Sequence, residues 1–339
     1  MTILFGGASF EHEISIVSAI TLKNVLKDEI DNFIFLDLNR DLYLIQKKNM
    51  NASFFADLKY KNELKLSFAK NGFEYTKILK RFLKVDLLLN LIHGKDGEDG
   101  LLASLLNFYG IKFIGPRIES SAISFNKELT KIYASSRNVR TLPYEVLHLH
   151  STRQSFLGYP IIIKPLRGGS SIGIKVATNA KEFDYALDHA FGFDTSVIIE
   201  PFLKNVKEYN LAGSKTKNGF IFSSIEEPKK SDLLSFEDKY LDFSRSEKIT
   251  AASLNKDIEE ELKAFFIKIY DGYFDGALIR CDFFVHDGEV LLNEINPIPG
   301  SLANYLFDDF KGVLNQIELP KQRQIQQNYS YINKIKKAK

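Results

Sequence analysis

Apolar runs alternate with helically spaced stretches over the first third of the chain. The runs that fit strands cover residues 2–5, 33–38, 85–92 and 111–114. Helical patterns lie between them, at 14–26 and 101–109. Strands that are mostly apolar and alternate with helices predict a parallel sheet covered by helices. We place this α/β unit at residues 1–115.

The pattern becomes α+β beyond this unit. Strands are predicted at 160–165, 174–176 and 196–200, with helices at 127–135 and 182–190. Because a Gly/Ser loop alone separates the first two strands, we expect them to pair antiparallel. These elements define a second unit, residues 116–205.

A third unit is predicted at residues 206–339. It contains strands near 209–213 and 219–225, a helix at 254–270 and a hairpin at 276–296. The polar stretch 226–248 is too long for an ordinary connection. We therefore expect it to be a mobile lid, a binding loop or a disordered segment.

Composition and charge exclude several classes of protein. Hydrophobic residues make up 45% and charged residues 26% of the 339 residues, which excludes a disordered chain. The net charge of +2 does not favour nucleic-acid binding. One cysteine, Cys281, rules out a disulfide framework and favours a reducing compartment. With no signal peptide and no apolar run near about 20 residues, we expect a soluble, cytoplasmic protein without membrane contact.

Polar residues interrupt the apolar C-terminal hairpin at regular positions. Arg280 and Asp282 share one face of the first strand, and Glu294 and Asn296 share one face of the second. A three-residue loop at 287–289 would pair Asp282 with Glu294 and bring all four side chains together. A two-residue Asp-Gly loop would put the pairs on opposite faces, and that alternative stays open.

Two carboxylates and an amide beside an arginine are typical of a Mg²⁺ site that carries a phosphate. The alternative is an exposed polar face with salt bridges.

Glycine-rich loops supply two further candidate sites. Residues 168–173 form a Gly/Ser loop whose backbone N–H groups can surround phosphate oxygens, and Lys164 precedes it in an otherwise apolar strand. The second site lies at the carboxyl ends of the parallel strands, where open α/β sheets bind ligands. His93 and Glu98 lie there in a loop with three glycines, and Glu11 follows the first strand at the same edge. Carboxylates at this edge suit a substrate ammonium; the alternative is acids favoured by a helix N-terminus.

Taken in order, these motifs resemble the D-alanine–D-alanine ligase family of the ATP-grasp superfamily. The resemblance extends from Gly6 to about Phe307. The matching stretches are residues 5–15, 93–100, 164–173, 239–240, 280–282, 293–296 and 299–300. It implies an ATP-grasp fold with a Rossmann-like N-terminal domain. It also implies a reaction in which ATP phosphorylates one D-alanine and the amine of a second attacks the acyl phosphate.

The resemblance also implies roles for individual residues. The nucleotide would contact Lys127, Lys164, Gly169, Ser171, Glu200, Leu203, Glu208 and Lys239. The metal ligands would be Asp282, Glu294 and Asn296, holding a pair of Mg²⁺ ions, with Mn²⁺ as an alternative. The catalytic groups would be Glu11, Ser170, Tyr240, Arg280 and Gly300. The substrate would contact His93, Glu98, Tyr305 and Leu306.

Two positions depart from the family pattern. Tyr305 stands where many members have serine, which leaves D-serine open as the second substrate. Gly168 replaces a common polar residue and predicts a more mobile phosphate loop. Tyr rather than Phe at position 240 resembles the members that add D-alanine more than those that add D-lactate, and D-lactate is the other alternative second substrate. The resemblance further implies a homodimer and small-molecule substrates, ATP and D-alanine.

Overall fold

The computed structural model describes residues 1–204, 206–228, 252–321 and 326–338. The first unit is built on an eight-stranded sheet with a parallel centre in the order β2-β1-β7-β8. These strands are β1 (Thr2–Gly6), β2 (Asn32–Leu36), β7 (Leu88–Asn90) and β8 (Phe113–Ile114). The helices of this unit are α1 (His12–Leu26), α2 (Ala52–Ala56) and α3 (Leu101–Phe108). The parallel α/β prediction is therefore confirmed for the centre of the sheet.

The same sheet carries an antiparallel extension that the apolar pattern does not reveal. Its strands are β3 (Leu42–Ile45), β4 (Leu64–Ala69), β5 (Gly72–Thr76) and β6 (Lys80–Lys84). The outermost strand, β6, is almost wholly exposed, and β4 is half-exposed. An edge of this kind lacks the buried apolar run that identifies a central strand.

The predicted strand at 85–92 is shorter in the structure, where it begins at Leu88 and ends at Asn90 because the chain then turns. The Asn90 side chain accepts a hydrogen bond from the Ile92 N–H at 3.0 Å and donates to the Gly97 carbonyl at 3.2 Å. These bonds satisfy backbone groups that would otherwise need a strand partner. They also draw the loop at 93–100 back against the sheet edge.

A four-stranded antiparallel sheet follows, in the order β11-β10-β12-β9. Its strands are β9 (Glu145–His148), β10 (Ile161–Pro165), β11 (Lys175–Ala177) and β12 (Ser196–Pro201). The helices nearby in sequence are α4 (Ile118–Phe125), α5 (Lys127–Ser136) and α6 (Ala180–Phe191). Asn126 caps α5, since its side-chain oxygen accepts from the N–H groups of Glu128 and Leu129. The predicted antiparallel pairing around the Gly/Ser loop is confirmed.

The third sheet has the order β14-β13-β15-β16 and is also antiparallel. Its strands are β13 (Lys207–Thr216), β14 (Gly219–Phe222), β15 (Ile279–His286) and β16 (Glu289–Asn296). The helices are α7 (Lys256–Tyr270), α8 (Phe310–Gln316) and α9 (Ser330–Ala338), and a kinked 3-10 segment spans Gly300–Leu306. Among the described residues, no helix is both long and apolar enough to cross a bilayer.

One hydrophobic core joins the two ends of the chain. Ile3 and Phe5 of β1 share a buried cluster with Leu302 and Leu306, and α1 packs against the Gly300–Leu306 segment. This packing brings the sheet edge beside Glu11 to the C-terminal end of β16, where the candidate site lies.

Candidate active site

The C-terminal hairpin combines features of both predicted alternatives. Its turn is the two-residue loop Asp287–Gly288, with φ values of 51° and 82°. Asp282 nevertheless pairs with Glu294, and Arg280 with Asn296. A β-bulge between Asp282 and Phe283 shifts the register by one residue and leaves Asn293 without a partner across the ladder. The three-residue loop is therefore wrong, whereas the pairing that it was meant to produce is confirmed.

Asp282 is the centre of a polar cluster on this hairpin. Arg280 donates to both of its carboxylate oxygens, from Nε at 2.6 Å and from Nη2 at 2.8 Å, and Asn296 Nδ2 donates at 2.9 Å. Burial raises the pKa of Asp282 to about 7, with Glu294 and Glu208 adding to the rise and Arg280 opposing it. Burial is thus the largest cause of the raised pKa, and the neighbouring carboxylates Glu294 and Glu208 act in the same direction.

These residues fit a divalent cation. The Asn296 amide turns its nitrogen toward Asp282, and Glu294 lies opposite Asp282 in the ladder. Carboxylate and amide oxygens are the ligands that Mg²⁺ prefers, and a cation would offset the crowded carboxylate charge. In the described part of the chain, no cluster of three or more His, Cys, Asp and Glu side chains has metal-holding geometry. The candidate set holds two carboxylates and one amide, so it rests on its donor chemistry.

The polar row extends across the sheet to residues that sequence reasoning did not select. Asn210 of β13 pairs with Asp282 on one side and with Glu226 on the other. Asn210 Nδ2 donates to Glu226 Oε2 at 3.1 Å, and both side chains are buried. Glu226 therefore belongs to the site's sheet face, although the sequence places it in a solvent-exposed polar stretch.

Glu11 and Ser170 meet although they lie beside different sheets. Ser170 Oγ donates to Glu11 Oε1 at 2.5 Å. Gly94 allows this arrangement, because a Cβ there would lie 2.6 Å from Glu11 Oε2. The phosphate loop and the sheet edge are thereby joined around one buried carboxylate.

The phosphate loop has an unusual backbone that a lysine holds in place. Gly168, Ser170, Ser171 and Gly173 all have positive φ values. Lys127, at the start of α5, donates from Nζ to the Gly168 carbonyl at 2.5 Å. Burial lowers the pKa of Lys127, while Glu294 and other acids oppose that effect. No atom lies within 4 Å of a Cβ built on Gly168, and Gly169 lies against Glu11.

Lys164 and Glu200 form a buried ion pair between neighbouring strands. Lys164 Nζ lies 2.7 Å from Glu200 Oε2, and Lys131 Nζ lies 2.5 Å from Glu200 Oε1. Burial alone would raise the pKa of Glu200, but the two lysines outweigh it and lower that pKa to about 2. Lys131 is a second residue that sequence reasoning did not select.

The loop at 93–100 is fixed by a buried acid. Asp96 accepts from the Ala8 N–H at 3.1 Å and from Arg40 Nε and Nη2 at 3.1 and 2.9 Å. His93 is buried, and its Nδ1 lies 2.7 Å from the Leu91 carbonyl. Burial lowers the pKa of His93 to about 4, so the ring is neutral near pH 7. Glu98 accepts from the Gly94 N–H at 3.1 Å, and burial together with Glu11 raises its pKa well above the usual range.

The Gly300–Leu306 segment contains a left-handed turn. Ser301, Leu302 and Ala303 have φ values of 48°, 51° and 50° and are buried. Ser18 of α1 accepts from the Ser301 N–H at 3.0 Å, which fixes this strained backbone from the opposite end of the chain. Gly300 is buried at the start of the turn.

Tyr305 and Leu306 face different surroundings. Burial raises the pKa of Tyr305 to about 12, with Arg280 opposing the rise, so the phenol stays protonated near Arg280. Leu306 packs in the core, and its carbonyl accepts from the Ser224 N–H at 3.0 Å. Any contact of Leu306 with substrate would therefore involve its backbone.

The remaining candidates lie beyond β12 or outside the described residues. Leu203 follows β12 and is half-buried, and Glu208 of β13 acts electrostatically on both Asp282 and Lys164. Lys239 and Tyr240 lie outside the described residues, as does the loop 226–248 from residue 229 onward.

One cleft collects residues from all three sheets' surroundings. It is lined by Glu98, Ser124, Phe125, Lys127, Thr130, Gly168, Gly169, Asn293, Glu294, Ile295, Asn296 and Pro297. Candidates for phosphate binding (Lys127, Gly169) and for metal binding (Glu294, Asn296) thus line the same cleft as Glu98.

Comparison with known proteins identifies the family. The sequence pattern "D-ala D-ala ligase N-terminus" matches residues 1–116, and "D-ala D-ala ligase C-terminus" matches residues 139–309. The D-alanine–D-alanine ligase of Campylobacter concisus is 56% identical over 99% of this chain and 97% of its own length. That of Wolinella succinogenes is 54% identical over 100% of this chain and 99% of its own length.

Solved structures agree with these matches. The crystal structure of D-alanine–D-alanine ligase from Helicobacter pylori has a TM-score of 0.84 and 51% identity, covering 95% of this chain and 99% of that one. A D-Ala:D-Ser ligase from Enterococcus faecalis has a TM-score of 0.75 and 26% identity, covering 93% of this chain and 97% of that one. The fold is thus the ATP-grasp architecture that the sequence resemblance implied, and the chain belongs to the D-alanine–D-alanine ligase family.

Proposed function

We propose that this protein joins two D-alanine molecules into D-alanyl-D-alanine, with conversion of ATP to ADP and phosphate, as a step of peptidoglycan precursor synthesis. The hydrogen bond between Ser170 and Glu11 carries the proposal. It joins the loop suited to nucleotide phosphates to the acid suited to a substrate ammonium. A ligase that transfers a phosphoryl group to an amino acid needs these two sites side by side.

The first chemical step forms an acyl phosphate. A carboxylate oxygen of the first D-alanine attacks the γ-phosphorus of ATP, and ADP leaves. Lys127 and Lys164 bind the phosphates. Lys127 donates to a carbonyl of the Gly/Ser loop, and Lys164 lies on the strand that leads into this loop. Glu11 holds the ammonium of the first D-alanine and so orients its carboxylate toward the phosphates. Lys239 supplies a further cation from the segment outside the described residues.

The second step forms the peptide bond. The amine of the second D-alanine attacks the acyl carbon, the tetrahedral intermediate collapses, and inorganic phosphate leaves. Arg280 and the Gly300 N–H stabilise the oxyanion of that intermediate, as fixed donors do in a dry site. Glu11 and Ser170 are proposed to act at the first-substrate side together with Tyr240, which lies outside the described residues.

Asp282, Glu294 and Asn296 are proposed to hold a pair of Mg²⁺ ions, with Mn²⁺ as an alternative. When bound, the ions neutralise the phosphate charge that otherwise repels the attacking carboxylate. Glu200 and the backbone of Leu203 bind the adenine, and Glu208 binds the ribose. Gly169 and Ser171 cover the phosphates, and His93 and Glu98 line the substrate side.

The second substrate is proposed to bind beside Tyr305. Tyr305 places a protonated phenol, near Arg280, where many family members have a serine. The segment 300–306 binds the carboxylate of the second substrate. The alternative second substrates are D-serine and D-lactate. The resemblance also leads us to propose a cytoplasmic homodimer, which light scattering after size-exclusion chromatography tests.

The deciding experiment measures ATP-dependent phosphate release by the purified protein. It supplies Mg²⁺ with D-alanine, L-alanine, D-serine with D-alanine, or D-lactate with D-alanine, and identifies the product by mass. We expect release with D-alanine alone and formation of D-alanyl-D-alanine. Release only after addition of D-serine or D-lactate would overturn the second-substrate assignment. No release with any pair would overturn the proposed function.

A further inference from the structure

Lys131 is a buried cation beside the proposed nucleotide site, and it has no role in the two proposed chemical steps. It lies one helical turn after Lys127 on α5, so both lysines project from the same side of the helix. Lys131 is 3% exposed to solvent. Nζ lies 2.5 Å from Glu200 Oε1 and donates to the Leu142 carbonyl at 3.2 Å. A lysine is rarely buried to this extent unless it is paired.

Glu200 divides its carboxylate between two cations. Oε1 faces Lys131, and Oε2 faces Lys164, which lies on the strand that leads into the phosphate loop. The side chain of Glu200 is 3% exposed, so water screens neither pair strongly. Two cations and one anion give the cluster a net charge of +1.

This charge balance affects Lys164 directly. If Glu200 had Lys164 as its sole cation, the two charges would cancel, and Lys164 would attract a phosphate weakly. With Lys131 also bound to Glu200, these three side chains keep one positive charge in excess, and Glu294 and Glu208 also act electrostatically on Lys164. The side of the cluster open to an anion is that of Lys164, which is slightly more exposed than Lys131.

We propose that Lys131 is a positioning residue for the nucleotide phosphates: it binds Glu200, so that Lys164 keeps a net positive charge for the phosphate groups. This inference rests on the proposed function, in which Lys164 binds ATP. A purely structural role for Lys131 makes a different prediction. In that case its loss would weaken the site for every nucleotide and nucleoside alike.

The test compares ADP with adenosine by isothermal titration calorimetry, because the ratio of their dissociation constants isolates the phosphate contribution. For Lys131→Met we expect ADP binding to weaken about 10-fold relative to adenosine, through the lost net charge. Lys131→Arg keeps the cation and should keep the wild-type ratio. An equal weakening of both ligands by Lys131→Met would overturn the proposal.

A double variant tests the charge argument itself. Lys131→Met with Glu200→Gln removes one cation and one anion, so the net charge returns to +1. Loss of the adenine contact of Glu200 affects both ligands and cancels in the ratio. We expect the double variant to regain most of the wild-type ADP-to-adenosine ratio, as a coupled pair does in a double-mutant cycle. A ratio no better than that of Lys131→Met would contradict the proposal.

Two controls keep the outcomes distinct. Thermal unfolding shows whether Lys131→Met folds. If it does not, the single variant Glu200→Gln tests the proposal. It leaves the two lysines with a net charge of +2, so ADP should gain affinity relative to adenosine. An unchanged or lower ratio would then overturn the proposal. The wild-type phosphate-release assay is run alongside. Its failure would refute the proposed function, whereas an active wild type with an unchanged Lys131→Met ratio would refute this inference alone.

Discussion

Ser170 and Glu11 are 159 residues apart in the chain, yet Ser170 Oγ donates to Glu11 Oε1 at 2.5 Å. Ser170 belongs to the Gly/Ser loop between β10 and β11, and Glu11 lies at the N-terminus of α1. The contact closes the loop over the edge of the first sheet. It also requires a left-handed backbone at Ser170, where φ is 54°. A non-glycine residue in that conformation is held by its surroundings, here by Glu11.

The first prediction concerns the loss of the Ser170–Glu11 hydrogen bond. For Ser170→Ala we expect kcat/KM for D-alanine to fall about 10- to 100-fold, because a hydrogen bond to a charged group contributes about 1.5–3 kcal/mol. Steady-state kinetics with D-alanine as the varied substrate measure it. Ser136→Ala is the control, since Ser136 is exposed on α5 and its Oγ donates to the Tyr133 carbonyl. Equal kinetics for the two variants would contradict a role for the bond.

The second prediction tests the space around Glu11. Gly94 has φ of +69°, and an added Cβ would lie 2.6 Å from Glu11 Oε2. Gly272 has φ of +83° with no atom within 4 Å of such a Cβ. Both alanine variants should lose about 1–2 kcal/mol of stability from the left-handed backbone. We expect Gly94→Ala alone to lose activity as well, by about 10-fold or more, because it displaces Glu11.

Denaturant unfolding and D-alanine kinetics on the two glycine variants separate these effects. Similar losses of stability with a selective loss of kcat/KM in Gly94→Ala would support the steric argument. Full activity of Gly94→Ala would mean that Glu11 can move without cost, and the assigned ammonium contact would then be wrong.

The hairpin shows why the pairing of the site residues was only partly predictable. The Asp287–Gly288 dipeptide determines a two-residue turn, and by itself that turn separates Asp282 from Glu294. The bulge at Asn293 restores the pairing. Its signal in the sequence is the odd spacing of the apolar residues Leu292 and Ile295. Both lie in one core cluster, whereas an unbroken strand would place residues three apart on opposite faces.

Other parts of the site depend on partners that local patterns do not identify. Lys131 repeats Lys127 at helical spacing, but its role depends on Glu200, which a separate strand supplies. The polar stretch that begins at Glu226 predicts a solvent-exposed side chain, and local patterns do not reveal that Asn210 lies opposite it. The parallel centre of the first sheet was predictable because its strands are buried on both faces.

The third prediction concerns the candidate metal ligands. We expect Glu294→Gln to lower turnover about 10²-fold or more, because a neutral amide holds Mg²⁺ less strongly than a carboxylate and leaves phosphate charge less well neutralised. The Mg²⁺ concentration that gives half-maximal activity should also rise. Glu289→Gln is the matched control, since Glu289 is exposed at the other end of β16. Near-normal activity of Glu294→Gln at ordinary Mg²⁺ would remove it from the ligand set.

The last prediction concerns the pH dependence of stability. Burial lowers the pKa of His93 from 6.5 to about 4 in the folded protein. Between these values the unfolded chain binds a proton that the folded protein does not, so the contribution of His93 to stability decreases as pH falls from about 6.5 toward 4. From pH 7 to pH 5 this amounts to about 2 kcal/mol, at 1.36 kcal/mol for each pKa unit.

Removing the titratable ring should remove this part of the acid sensitivity. We expect the free energy of unfolding of His93→Gln to fall by about 2 kcal/mol less between pH 7 and pH 5 than that of the wild type. Urea unfolding at the two pH values measures the difference. His150→Gln is the control, because it makes the same substitution at an exposed histidine. If the His93→Gln and wild-type curves fall in parallel, the ring is not held neutral by burial, and a charged His93 at the substrate edge would then have to be considered.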